Sequence, residues 1–231
     1  MYDVYVARSP APWKVLIALG ELGVPFVEHE INPADGQQLT PAFQALNPNS
    51  KVPVLVDNSP SDRPGPFVVF ESGAILLYLA EKHDRLMPKN MRERYEALQW
   101  IMWQMAGIGP IFGNARHFRH FVPEPVPYAV ERFSNECERL CSVLDRHLAD
   151  RQYIAGSEYS MADICCWPWL LYTESNGVRV SEFPNLQRWF AMIGRRPAVR
   201  ALGARNWDTY DYQASGPIPD NVRKILFGRR R

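Results

Sequence analysis

Residues 49–55 read Asn49-Ser50-Lys51-Val52-Pro53-Val54-Leu55, and residues 70–75 read Phe70-Glu71-Ser72-Gly73-Ala74-Ile75. In the first stretch a proline opens a β-rich run. It removes a backbone donor, so it belongs at a strand start or an edge. A cis Val52–Pro53 bond would turn the Val52 N–H and C=O outward as an unpaired edge, which an extended peptide joins like an added strand. A trans proline on an ordinary edge strand fits the same spacing. In the second stretch a strand ends, Ser72 is placed to cap, and a helix begins. A helix N-terminus offers free N–H groups and positive dipole to a carboxylate, and the neighbouring Glu71 suits an ammonium. Carboxylate and ammonium on one carbon make an amino-acid head group. A plain N-cap with a solvated Glu71 is the alternative.

Working outward, residues 2–7 form a short β-rich run, and 12–22 have helical periodicity, with Ser9 or Pro10 near the start and Gly23 at the C′ position. Residues 26–31 read as a second strand. A polar loop through Asp35-Gly36-Gln37-Gln38 leads to a short helix at 41–46. Residues 52–56 and 67–70 read as a hairpin across a turn-forming connection, and 72–82 as a helix. The order βαβα then ββα is that of an α/β thioredoxin-like N-terminal domain, placed at 1–83. Residues 83–90, with Pro88, read as a linker. Beyond them the strand signal almost vanishes: 92–107, 128–150, 160–173 and 184–195 carry helical spacing, which gives an all-α C-terminal domain over 91–203. A C-terminal extension, 204–231, takes no assignment. Tyr159-Ser160-Met161-Ala162-Asp163-Ile164 is a capping box with Asp163 at N3 and a Tyr159–Ile164 staple, a folding signal without chemistry.

Composition narrows the function classes. Lys and Arg number 26 against 25 Asp and Glu in 231 residues, a net charge of +1. This balance points away from nucleic acid and anionic membranes. The N-terminus has an early acid and no apolar core, and residues 67–80 are too short to span a bilayer and are interrupted by Glu71 and Ser72. The expected location is the cytoplasm. Four cysteines, Cys137, Cys141, Cys165 and Cys166, all lie in the second half without a C-x-x-C, and His147 is the only nearby histidine. They are expected to be buried small hydrophobes, with no metal site.

Together these three motifs resemble the glutathione transferase family over about residues 1–203. The resemblance implies glutathione as co-substrate, with Val52, Pro53, Glu71 and Ser72 as ligands and Lys51 and Gln38 as glycine- or carboxylate-side contacts. Trp103-Gln104-Met105-Ala106-Gly107-Ile108-Gly109-Pro110, then Phe118, Pro127-Tyr128-Ala129-Val130-Glu131-Arg132 and Cys166-Trp167-Pro168-Trp169 resemble the Nu class, grouped with the Ure2p-like transferases. That likeness implies disulfide-bond reductase activity with two glutathiones or glutathione disulfide, and a homodimer in which Arg132 reaches the partner's site. The electrophile pocket is expected between the domains, lined by Trp103, Phe118 and Trp13, although these aromatics suit a core equally.

The first loop, Arg8-Ser9-Pro10-Ala11-Pro12-Trp13-Lys14, bears on mechanism. It holds no cysteine, which argues against a mixed disulfide with the protein. Tyr5 lies inside a strand and is expected to pack. Ser9 is the remaining hydroxyl and the expected catalytic donor to the glutathione sulfur. Nu relatives carry threonine there and asparagine two residues on; this chain has Ala11. The expected activity is attack by the glutathione thiolate on disulfides, hydroperoxides or electrophiles. The alternative is a non-catalytic glutathione-binding or regulatory module of the same fold, which Ala11 favours.

Overall fold

A computed structural model of the 231-residue chain describes residues 1–203 and 218–228. Its first part is a four-stranded sheet of order β2-β1-β3-β4, with β1 (Tyr2–Val6), β2 (Phe26–Glu30), β3 (Val54–Asp57) and β4 (Phe67–Phe70). β1 runs parallel to β2, with Tyr2 opposite Phe26, and antiparallel to β3, with Tyr5 opposite Val54. β3 pairs antiparallel with β4, Val54 opposite Phe70. Lying between two strands and under helices, β3 is buried at every position. That includes Asp57, whose carboxylate accepts from Tyr78 Oη at 2.5 Å and from Lys82 Nζ.

The helices of this part are α1 (Pro10–Leu22), α2 (Pro41–Leu46) and α3 (Ser72–His83). α1 starts with proline, whose missing N–H is not needed there, and ends on Gly23 at φ 70°. It is buried almost all round because it also packs against helices of the second part, α7 (Met161–Leu170) and α9 (Pro197–Gly203). Arg196, just before α9, clamps Glu21 of α1 through two bonds of 2.6 and 2.8 Å.

The second part is helical: α4 (Met91–Trp103), α5 (Gly109–His120), α6 (Pro127–His147), α7, α8 (Pro184–Gly194) and α9. The sequence ends a helix near Gly107, but the chain does not leave helical form there. A π-helical turn, Gln104–Ile108, joins α4 directly to α5. Pro110 then falls in the first turn of α5, directly after the π turn has shifted the hydrogen-bond register, with Gly109 N donating to the Gln104 carbonyl. The extra residue of a π turn re-aims the side chains around it, a device frequent at functional sites. The Ser160 capping box forms as the sequence predicts. Asp163 is fully buried, and its two oxygens accept from the amides of Ile154 and Ser160, from Ser160 Oγ and from Trp189 Nε1 at 2.8 Å.

Of the unassigned extension, 204–217 and 229–231 lie outside the described residues. A short helix, α10 (Asp220–Phe227), stacks Phe227 near Phe121 and His117 of the α5 end. No helix of the described residues is long and apolar enough to cross a membrane.

Candidate active site

Segments from both parts of the chain surround a cleft of about 430 Å³. The loop before β3 supplies Lys51, Val52 and Pro53; the β4–α3 junction supplies Glu71 and Ser72; α1 supplies Ala11 and Lys14. Gln104 and Met105 of the π turn, Pro110 of α5 and Trp169 of α7 form the other wall.

The Val52–Pro53 peptide is cis. β3 begins only at Val54, and the Val52 N–H and C=O have no backbone partner among the described residues. Asn47, itself buried, braces this loop: its Nδ2 donates to the Lys51 carbonyl at 2.7 Å and its Oδ1 accepts from Asn49 N at 2.9 Å. The result is a fixed, unpaired stretch of backbone facing the cleft.

Glu71 has φ 70° and ψ 116°, a conformation rarely adopted by a residue with a side chain. Holding it there costs on the order of 1–3 kcal/mol. The sequence reading placed Ser72 at the helix cap; the structure corrects this, with Glu71 at the cap position and Ser72 as the first helical residue. The abrupt turn out of β4 explains the shift by one. The Glu71 carboxylate is left exposed with no ion-pair partner among the described residues, while Ser72 is buried. The next residue, Gly73, is held by a close approach: a Cβ there would lie 3.0 Å from Met105 Cγ.

At the start of α1, Ser9 occupies the cap position but its hydroxyl caps no amide. Pro10 and Pro12 have no N–H, and Trp13 N bonds to the Ser9 carbonyl at 3.4 Å. In that turn the Ala11 amide is therefore the one N–H without a backbone partner. Ser9 itself lies two residues before Ala11, which lines the cleft.

Other predicted residues lie elsewhere. Gln38 is buried in a 3-10 turn, donating to the Pro33 carbonyl at 3.2 Å. Arg132 is exposed on α6, 3.6 Å from Glu136. Trp13 is one position, or about 100°, round α1 from Lys14. It therefore points away from the cleft, towards Tyr172, and lines a separate cavity with Trp167 and Leu171. Trp103 packs edge-on against Trp100, and Phe118 stacks on Phe133. None of these three aromatics lines the cleft; Met105, Pro110 and Trp169 do. Those residues stand inside the runs Trp103–Pro110 and Cys166–Trp169, two of the stretches that carry the Nu-class resemblance.

The four cysteines are free and buried. Burial pushes the thiols of Cys137 and Cys141 up to about 12, and raises those of Cys165 and Cys166 as well. All four are held as neutral thiols.

The family models for the N-terminal and C-terminal domains of glutathione S-transferase match residues 8–82 and 127–191. The disulfide-bond oxidoreductase YfcG of Escherichia coli is 39% identical over 199 residues, covering 86% of this chain and 93% of that protein. Among solved structures, a glutathione transferase from Burkholderia graminis with two glutathione molecules bound per subunit superposes with a TM-score of 0.83. It is 39% identical and covers 91% of this chain and 89% of that one. A glutathione transferase from Pseudomonas putida with one glutathione disulfide bound per subunit gives 0.82 at 39% identity, covering 87% and 89%.

Proposed function

Since the chain belongs to the glutathione S-transferase family, we propose that it binds glutathione in this cleft and uses the glutathione sulfur to reduce disulfides, in the manner of the Nu class. The observation that carries the reading is the juxtaposition of an unpaired Val52 backbone edge with a free Glu71 carboxylate and the Ser72 helix start. An extended peptide bearing an amino-acid head group matches all three. Its cysteinyl backbone pairs with Val52, its ammonium with Glu71 and its α-carboxylate with Ser72 and the first amides of α3. Lys51, on the cleft wall, serves the glycine end. The relatives with two glutathiones or one glutathione disulfide bound support a cleft wide enough for both halves of that disulfide.

The reaction follows from the first turn of α1. The Ser9 hydroxyl and the Ala11 amide are the donors left over for a thiolate, and they compensate for the asparagine side chain that this loop lacks. A thiol of pKa 8.5 is only about 3% ionised at pH 7; lowering it to about 6.5 raises the thiolate roughly 25-fold. The weaker base is about 6- to 10-fold less nucleophilic, so activation yields only a few-fold gain. Positioning the sulfur against its target contributes more. The thiolate attacks one sulfur of a disulfide, forms a mixed disulfide with glutathione and expels the other sulfur as thiolate; a second glutathione then releases the remaining thiol and leaves glutathione disulfide.

Reduction of hydroperoxides, a cytoplasmic location and a homodimer belong to the same proposal. For the dimer, β4 and α4 leave Phe67, Phe70, Met91, Tyr95 and Met102 at 37–77% exposure, more apolar surface than isolated helices and strands need show. Purified protein is expected to elute at twice its subunit mass of 26.6 kDa, and Arg132→Ala to weaken glutathione binding. A fully active monomer, or an Arg132 variant with unaltered affinity, would remove this part of the reading. The activity itself is tested by parallel assays with glutathione plus a small disulfide, a hydroperoxide or an aryl halide. The disulfide should turn over fastest, and binding without any turnover would favour the regulatory-module alternative.

A further inference from the structure

Lys14 is buried to 1% exposure within an apolar helix, yet no carboxylate of the described residues lies within ion-pair distance of it. Its ammonium contacts only neutral groups: Gln104 Oε1 at 2.5 Å, Ser72 Oγ at 3.2 Å and Met105 Sδ at 3.4 Å. A buried cation without a counter-ion costs free energy that a methionine or leucine at the same place would not. Such a charge in the floor of a cleft marks the place where an anion binds. Three further donors point the same way. Because Lys14 has no lone pair to offer, Ser72 Oγ must accept from it, which leaves the Ser72 proton for another partner. Here that proton meets only the weak acceptor Met105 Sδ at 3.6 Å. Gln104 is fully buried and its Oε1 is engaged twice, by Lys14 and by the Cys165 thiol at 3.0 Å. This fixes the amide's orientation and leaves its Nε2 without a partner. The Trp169 indole N–H, also buried on this wall, has none either.

We infer that Lys14 is a positioning residue for the glutathione head group: through Ser72 and Gln104 it supplies the countercharge for the γ-glutamyl α-carboxylate. The inference rests on the glutathione-binding reading and adds to it a residue on α1 that touches the ligand through Ser72. The ammonium orients the Ser72 proton into the cleft, sets the Gln104 amide beside it, and lowers the energy of a carboxylate brought out of water. A neutral head group would gain none of this.

The test compares glutathione with an analogue whose γ-glutamyl α-carboxylate is a carboxamide, each titrated by tryptophan fluorescence against the full chain. Wild type should prefer glutathione by about tenfold or more, the range of a charge-assisted contact. Lys14→Met should lose most of that preference, binding glutathione about tenfold more weakly and the carboxamide unchanged. Its unliganded thermal midpoint should stay level or rise. A variant that keeps the full preference would overturn the inference. So would one that weakens both ligands equally, since that is what a purely structural lysine would do. Lys14→Gln, which keeps hydrogen bonding without charge, carries the same test if Lys14→Met does not fold. Failure of both variants to fold would contradict the assignment of Lys14 to the ligand. Wild type that binds no glutathione would instead sink the underlying reading of the cleft.

Discussion

Asp163→Ala is expected to destabilise the folded chain by about 3 kcal/mol or more, the cost of stranding several buried donors at once. The Asp163 carboxylate is fully buried, and it collects the Trp189 indole N–H, the Ile154 and Ser160 amides and the Ser160 hydroxyl. Because α7 carries Trp169 and packs against α1, loss of its cap loosens the cleft from beneath. Denaturant unfolding followed by circular dichroism measures the effect. A midpoint within error of wild type would show that the capping box is dispensable and that α7 is held by its apolar contacts alone.

Glu71→Ala should weaken glutathione binding by about 1–3 kcal/mol, because the ligand's ammonium loses the one carboxylate that the described residues place in the cleft wall. The strained backbone at φ 70° is present in both free and bound protein and in both variants, so it cancels from the comparison. Stability should change little, since the side chain is exposed and makes no ion pair among the described residues. Fluorescence titration with glutathione reads the change, with Trp169 in the cleft wall as a natural reporter. An unchanged dissociation constant would take Glu71 out of the site.

Much of the cleft was legible in linear order because its parts are short and local. A proline at a strand start and an acid before a helix each announce themselves within a few residues. The opposite wall was less legible, for physical reasons. Gly107, Gly109 and Pro110 look like helix breakers, yet Gly107 sits in a π turn that runs straight into α5, and Gln104 and Met105 of that turn face the cleft while Trp103 packs on Trp100. Periodicity of 3.6 cannot report a local change of register. Lys14 was missed for another reason: one lysine in Pro12-Trp13-Lys14-Val15-Leu16 reads as the solvated edge of an apolar helix. Only the packing of α3, α7 and α9 around α1, with Gln104 of the π turn bonded to Lys14, shows that this helix has little solvated edge left. Trp13 and Lys14 are neighbours in sequence yet face different cavities, because a step of one residue on a helix turns a side chain by about 100°.

In the proposed reaction glutathione's sulfur, and none of the protein's own, performs the chemistry. The most direct measurement sets two variants side by side in a disulfide-reduction assay with glutathione, followed across pH. With Cys137, Cys141, Cys165 and Cys166 replaced by alanine or serine, the protein should keep most of its turnover, because all four thiols are buried and held neutral. Ser9→Ala should lose activity and shift its pH–rate profile to higher pH. Without that hydroxyl the bound thiol ionises less readily, so the active thiolate forms only at higher pH. A folded cysteine-free variant that binds glutathione normally but no longer reduces disulfides, beside a Ser9→Ala variant with an unshifted profile, would contradict the account.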